Sequence, residues 1–253
     1  MSAFPEIRVV GITGLPEVTP GSDLIGLILE GVSRQDLHLH DGDILVITQK
    51  VVSKSEGRLV RLSEVKPSSL AEAFAEDGNR DPRSVEVVLG EARRIVKMDR
   101  GILITETAQG MVCAHAGVDA SNVPDLDEVA LLPADPDQSA ATLRSSIRER
   151  VGADVAIIIS DTFGRPWREG LVNVAIGVDG ISPLLDYRGE KDPQGRPLLA
   201  TVIAVADELA STAELVMGKL DRVPAALIRG YSYKPGDGKA VDLVRPADKD
   251  LFR

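Results

Sequence analysis

A short apolar run, Val155-Ala156-Ile157-Ile158-Ile159-Ser160, passes straight into Asp161-Thr162-Phe163-Gly164-Arg165-Pro166-Trp167-Arg168. No other stretch constrains the fold as tightly. An unbroken row rich in β-branched residues predicts a strand crossing a buried sheet. The strand is expected to end at a loop bearing a carboxylate, a hydroxyl, a glycine and two guanidinium groups. Acidic and hydroxyl oxygens suit a hard cation such as Mg²⁺, while Arg165 and Arg168 suit phosphate or carboxylate oxygens. The plainer alternative is an Asx turn, with Gly164 and Pro166 serving the bend.

The chain's 253 residues allow one large domain or two modest ones, with ample core. Hydrophobic residues make up 43% and aromatics only 3%, so that core must be aliphatic and Ala-rich. A net charge of -10 argues against a general nucleic-acid binder, although a local Lys/Arg cluster can still hold an anionic ligand. The single cysteine, Cys113, excludes an intramolecular disulfide and a cysteine-clustered metal site. Between Val112 and Ala114 it is expected to be buried as a small apolar residue. The first residues carry no basic start, and no apolar run is long enough to span a bilayer. A cytoplasmic protein without membrane or nucleic-acid partners is expected.

Strands are predicted over 8–12, 44–48, 101–106, 111–114, 128–132, 155–160, 172–178, 200–206 and 225–228. Helices are predicted over 23–32, 68–76, 82–94, 140–151 and 207–217, the first capped by Ser22 or Asp23. Residues 50–54 are expected to prolong the preceding strand, and the Pro/Gly-rich tail from Tyr231 to be loose. The mixed order of elements predicts an α+β fold of mixed sheets with packed helices. Two subdomains, intimately joined and without a linker, are expected.

The sequence lacks both the G-x-x-x-x-G-K-[ST] phosphate loop and the G-x-G-x-x-G dinucleotide signature, so any nucleotide must sit on another scaffold. In Ala116-Gly117-Val118-Asp119-Ala120-Ser121-Asn122-Val123, the Asp119 carboxylate and Asn122 amide can face one pocket. Asp119 and Asp161, from separate turns, make the minimum pair for gripping a divalent cation between protein and phosphate. Thr48-Gln49-Lys50-Val51-Val52-Ser53-Lys54 offers Ser53 and Lys54 to phosphate oxygens. Gly14, in Thr13-Gly14-Leu15-Pro16, permits close approach of backbone to a ligand, or simply a turn. His38, His40 and His115 have no ligand spacing.

In order along the chain, Gly14-Leu15-Pro16, Val52-Ser53-Lys54-Ser55-Glu56-Gly57-Arg58, Ala116–Val123, Ser160–Arg165, Ala175-Ile176-Gly177, Gly189-Glu190-Lys191-Asp192, Ala206-Asp207-Glu208 and Leu215-Val216-Met217-Gly218 resemble the coenzyme F-420:L-glutamate ligases. The resemblance spans nearly the whole chain and implies a single γ-glutamyl ligase domain over 1–253, with two α+β parts per subunit of a homodimer. It implies GTP-dependent amide formation between L-glutamate and the carboxylate of a deazaflavin coenzyme precursor, followed by γ-linked glutamate addition, with Mg²⁺ or Mn²⁺ bound. By position, Asp119 and Asp161 would bind metal and Thr162 a second metal. Thr13, Gly14, Leu15, Pro16, Gln49, Lys54, Asn122, Met217 and Gly218 would contact GTP, with Asp161 and Lys54 serving catalysis. One position departs: Lys219 stands where some archaeal members carry a glutamate ligand, and a protonated lysine cannot ligate. The ending Leu251-Phe252-Arg253 looks like the stand-alone form or a piece of a fusion. A metal-dependent phosphohydrolase and a non-catalytic nucleotide- or deazaflavin-binding protein are the alternatives.

Overall fold

The structure is a computed structural model, described over residues 5–121 and 125–250. The chain enters through β1 (Arg8–Ile12) and reaches α1 (Leu24–Arg34) after an exposed turn. Asp23 caps α1 by accepting from the Gly26 N–H at 3.1 Å, and Leu24, Ile25, Ile28 and Val32 form its buried stripe. β2 (Ile44–Thr48) runs directly into α2 (Gln49–Ser55), followed by β3 (Leu59–Arg61), α3 (Ser69–Gly78) and α4 (Pro82–Glu91). Four strands come next: β4 (Ala92–Asp99), β5 (Ile102–Thr107), β6 (Val112–Ala114) and β7 (Glu128–Ala130). α5 (Pro136–Val151) is capped by Asp135 and stopped by Gly152 at φ 72°. β8 (Ala156–Arg165), β9 (Arg168–Asp179), β10 (Leu185–Asp186), β11 (Val202–Ile203), α6 (Val205–Met217) and β12 (Ala225–Arg229) complete the order.

The main sheet runs β1-β12-β2-β8-β9, with β2 and β8 parallel and the other pairs antiparallel. Ile44, Leu45, Val46 and Ile47 of β2 and Ile157, Ile158 and Ile159 of β8 are fully buried, because helices cover both faces. Ile28 of α1 and Ile147 of α5 pack with Leu45 and Ile157 on one face. Leu209, Ala210 and Ala213 of α6 pack with Val46 and Ile158 on the other, and the alanines let α6 lie close to the sheet. The smaller sheets β4-β5-β6 and β3-β7, with α3 and α4, form separate apolar clusters around Leu103 and Val129. Mixed sheets with packed helices give the expected α+β class. Cys113 is buried, also as expected.

Five expectations need correction. The strand entering Asp161 does not end there: β8 continues to Arg165 and pairs with β9 as a hairpin, with Thr162 opposite Asn173. Residues 50–54 are helical rather than extended, since Val52, Ser53 and Lys54 turn inward from α2. The helix begun at Pro82 stops at Glu91, where the chain becomes β4 to pair with β5, and strand 200–206 shrinks to β11 because α6 begins at Val205. The tail beyond Tyr231 is pinned: the Ala240 N–H donates to Asp137 Oδ1 at 3.0 Å, and Tyr231, Tyr233 and Leu243 pack on the core.

Candidate active site

The ladder register aligns one row of residues across the sheet: Ile12 opposite Ala225, Ala225 opposite Ile47, and Ile47 opposite Ile159. The chain therefore leaves β1, enters β12 and leaves β2 at a single edge, which β8 passes at Ser160 before running on to its hairpin with β9. This edge includes the carboxyl ends of the parallel pair, where open sheets commonly place their ligands. Thr13–Pro16, the segment from Met217 to Pro224, α2 and Asp161 all emerge there. Close packing ties the first two together, because a side chain on Gly11 would meet the Val216 carbonyl at 3.0 Å.

Asp161 and Asp119 meet at this edge. Asp161 is half-buried, and its carboxyl is pushed up to about 6, first by burial and then by the charge of Asp119. The Thr162 N–H, Lys219 and Lys50 act in the opposite direction. Burial also disfavours the Asp119 anion, but Lys50 and Ser121 outweigh it and hold that carboxyl below the usual range. Lys50 Nζ lies 2.8 Å from Asp119 Oδ2 and donates to Ser121 Oγ at 2.5 Å, while the Ser121 N–H donates to Asp119 Oδ1 at 2.6 Å. The Cys113 thiol is pushed up to about 12 by its burial and by the nearby Asp161 charge, so it is no nucleophile.

Strand alternation sends Thr162 to the face opposite Asp161. Its hydroxyl donates to Asn173 Oδ1 at 2.8 Å and accepts from Lys219 Nζ at 2.5 Å. One helical turn beyond Lys50 on α2, the buried Lys54 pairs with Glu17 Oε1 at 2.5 Å. Gln49 is buried: its Oε1 accepts from Ser53 Oγ at 2.9 Å, and its Nε2 has no partner among the described residues. Ser160 Oγ, next to Asp161, is another buried atom without one. Such orphans carry a cost in a closed interior.

Other expected contacts divide by what their side chains can offer. Thr13, Gly14 and Pro16 are exposed, whereas Leu15 packs into the core, and the Thr13 N–H donates to Gln35 Oε1 at 2.8 Å. Met217 buries its side chain under α6, leaving its backbone and that of exposed Gly218 to face the edge. Arg165 sits at the hairpin tip with a guanidinium N–H donated to the Glu169 carbonyl at 2.6 Å, and Arg168 is exposed nearby. At about 3.3 Å per residue, the tip lies roughly 13 Å along β8 from Asp161. Asn122 falls outside the described residues. Lys50, Ser121, Asn173 and Glu17 were not singled out from the sequence individually. Only Lys50 had a signal, four residues before Lys54 and so on the same helical face.

Two adjacent carboxylates with only oxygen donors fit a hard divalent cation whose remaining ligands are phosphate oxygens and water. Among the described residues, no cluster of three or more His, Cys, Asp or Glu side chains is placed to hold a metal without such help. A cavity of about 430 Å³ between α1, α2 and α5 is lined by Ser22, Ser55, Glu56 and Ser139 and does not border Asp161. No helix among the described residues is long and apolar enough to cross a membrane.

The family model described as F420-0:Gamma-glutamyl ligase matches residues 13–230. The chain is 46% identical over 250 residues to the coenzyme F420:L-glutamate ligase of Methanothermobacter thermautotrophicus, covering 98% of this chain and 99% of that protein. It is 47% identical over 260 residues to the enzyme of the same name from Methanopyrus kandleri, covering all of both. A third, from Methanococcus maripaludis, is 41% identical over 249 residues, covering 98% of each chain.

Proposed function

Since this chain belongs to the F420-0:gamma-glutamyl ligase family and is a ligase of that type, we propose that it joins L-glutamate to the carboxylate of a deazaflavin coenzyme precursor at the expense of GTP. Further glutamates follow by γ-linkage. The names of the relatives support the substrates. The observation that supports the reading is the shared edge at the ends of β1 and β2, the start of β12 and the point where β8 passes Ser160, near which Asp161, Asp119, Lys50, Lys54 and Lys219 lie.

A carboxylate is a poor electrophile, so amide formation needs prior activation. The precursor carboxylate oxygen attacks the γ-phosphorus of GTP, the bond to the β-phosphate oxygen breaks, and GDP leaves. The glutamate amine then attacks the acyl carbon, phosphate departs, and the amine's extra proton passes to solvent. The protein's share is positioning and charge neutralisation. Asp119 and Asp161 hold Mg²⁺ or Mn²⁺, which neutralises phosphate charge when bound. Lys54, at present paired with Glu17, offsets the charge developing on the transferred group, and Gln49 Nε2 gives its unpaired N–H to the nucleotide. The Thr13–Pro16 turn and the backbone at Met217 and Gly218 flank it, as does Asn122. A homodimer with two-part subunits belongs to the same reading and is supported by the family likeness.

Incubation with GTP, Mn²⁺ and the precursor, with and without glutamate, tests the proposal by mass spectrometry. A product heavier by glutamyl units, formed only with glutamate and accompanied by GDP, is expected. Phosphate release without an amide would establish a phosphohydrolase instead, and saturable binding without GDP a binding protein.

A further inference from the structure

Thr162 spends its one hydroxyl proton on Asn173 Oδ1 at 2.8 Å. Asn173, 4% exposed, is fixed in turn by donating from Nδ2 to Glu214 Oε2 at 2.8 Å. Thr162 Oγ1 is therefore left with lone pairs alone to present to a further neighbour. Lys219 Nζ takes one of them at 2.5 Å. The backbone makes this contact possible: Gly218 ends α6 at φ 59° and ψ -174°, a conformation open essentially to glycine, and the next residue reaches β8. The ammonium thus occupies the oxygen that the resemblance assigns to a second metal. A dication and a protonated lysine sharing one oxygen repel each other.

We propose that Lys219 takes the place of a second metal ion, so that this chain binds one divalent cation per active site and supplies the other positive charge from its own side chain. The proposal rests on the nucleotide and metal reading above. Lysine suits the part, being a compact charge on a flexible stem that can move from Thr162 to a phosphate oxygen once nucleotide arrives. Thr162 and Asn173 then position Lys219 and need not ligate metal themselves.

The test counts Mn²⁺ bound per chain, by equilibrium dialysis with electron paramagnetic resonance detection, in the presence of saturating β,γ-imido-GTP. One ion is expected on the native protein, one on K219M, and two on K219E, where a carboxylate replaces the ammonium beside Thr162. Lys219 is exposed, and the measurement on the native chain needs no variant. Two ions on the native chain would overturn the proposal while leaving the ligase reading intact, and so would one ion on K219E. Retention of no Mn²⁺ by any of the three would overturn the metal reading and this proposal together.

Discussion

Asp161 is held between opposing demands: its surroundings disfavour the charge that its proposed role requires. An unfolded aspartate has the ordinary value of 3.8, and burial beside Asp119 raises Asp161 to about 6 in the fold. The folded state therefore binds this proton more tightly than the unfolded chain. Its contribution favours folding below about pH 4 and is lost as pH rises through about 6, a difference of roughly 2–3 kcal/mol. Asp161→Asn should raise the melting temperature of the metal-free protein by several degrees at pH 7.5 and leave it unchanged at pH 4, as calorimetry can show. The same variant should lose ligase turnover by orders of magnitude. Mn²⁺ must displace this proton, so affinity measured by dialysis should fall about tenfold per pH unit below pH 6. Lys54→Ala removes a charged donor, and the Kd for GTP should rise about ten- to a hundredfold in titration calorimetry.

Elements were legible where local pattern and burial agree. β1 and β2 end where their apolar runs end, and Asp23 marks the start of α1, because these limits depend on neighbours in the chain. Asp161 to Arg165 read as a loop because polar residues there join a strand only through pairing with β9, which local sequence does not display. Val51 and Val52 suggested extension in α2 for a related reason: β-branched side chains favour strands, and tertiary packing overrode that preference. The closeness of β1 to the end of α6 depends on the absence of a side chain at Gly11. Gly11→Ala would drive a methyl group against the Val216 carbonyl and the Val223 side chain. Denaturant unfolding should show a loss of about 1–3 kcal/mol, with weaker GTP binding because the two flanking segments move apart.

Across the whole molecule, the residue types of the site were readable but their convergence was not. Asp119 and Asp161 stood out as candidate cation ligands, whereas Lys50 was one lysine among many until α2 laid it against Asp119. The edge that gathers them comes from strand order, and under the proposed function it would couple nucleotide and metal to the entire sheet. With GTP and Mn²⁺ each a hundredfold above its Kd, the melting temperature should rise by about 5–10 °C in scanning calorimetry, and by less with either alone.

The place of β12 between β1 and β2 has a consequence for how the enzyme is made. Among the described residues β1 has no other partner in the sheet, so it waits for β12 before it joins. A chain still emerging from the ribosome can assemble β2, β8 and β9, yet the candidate edge stays open until Arg229 has been added. The candidate edge therefore cannot close before β12 has been made.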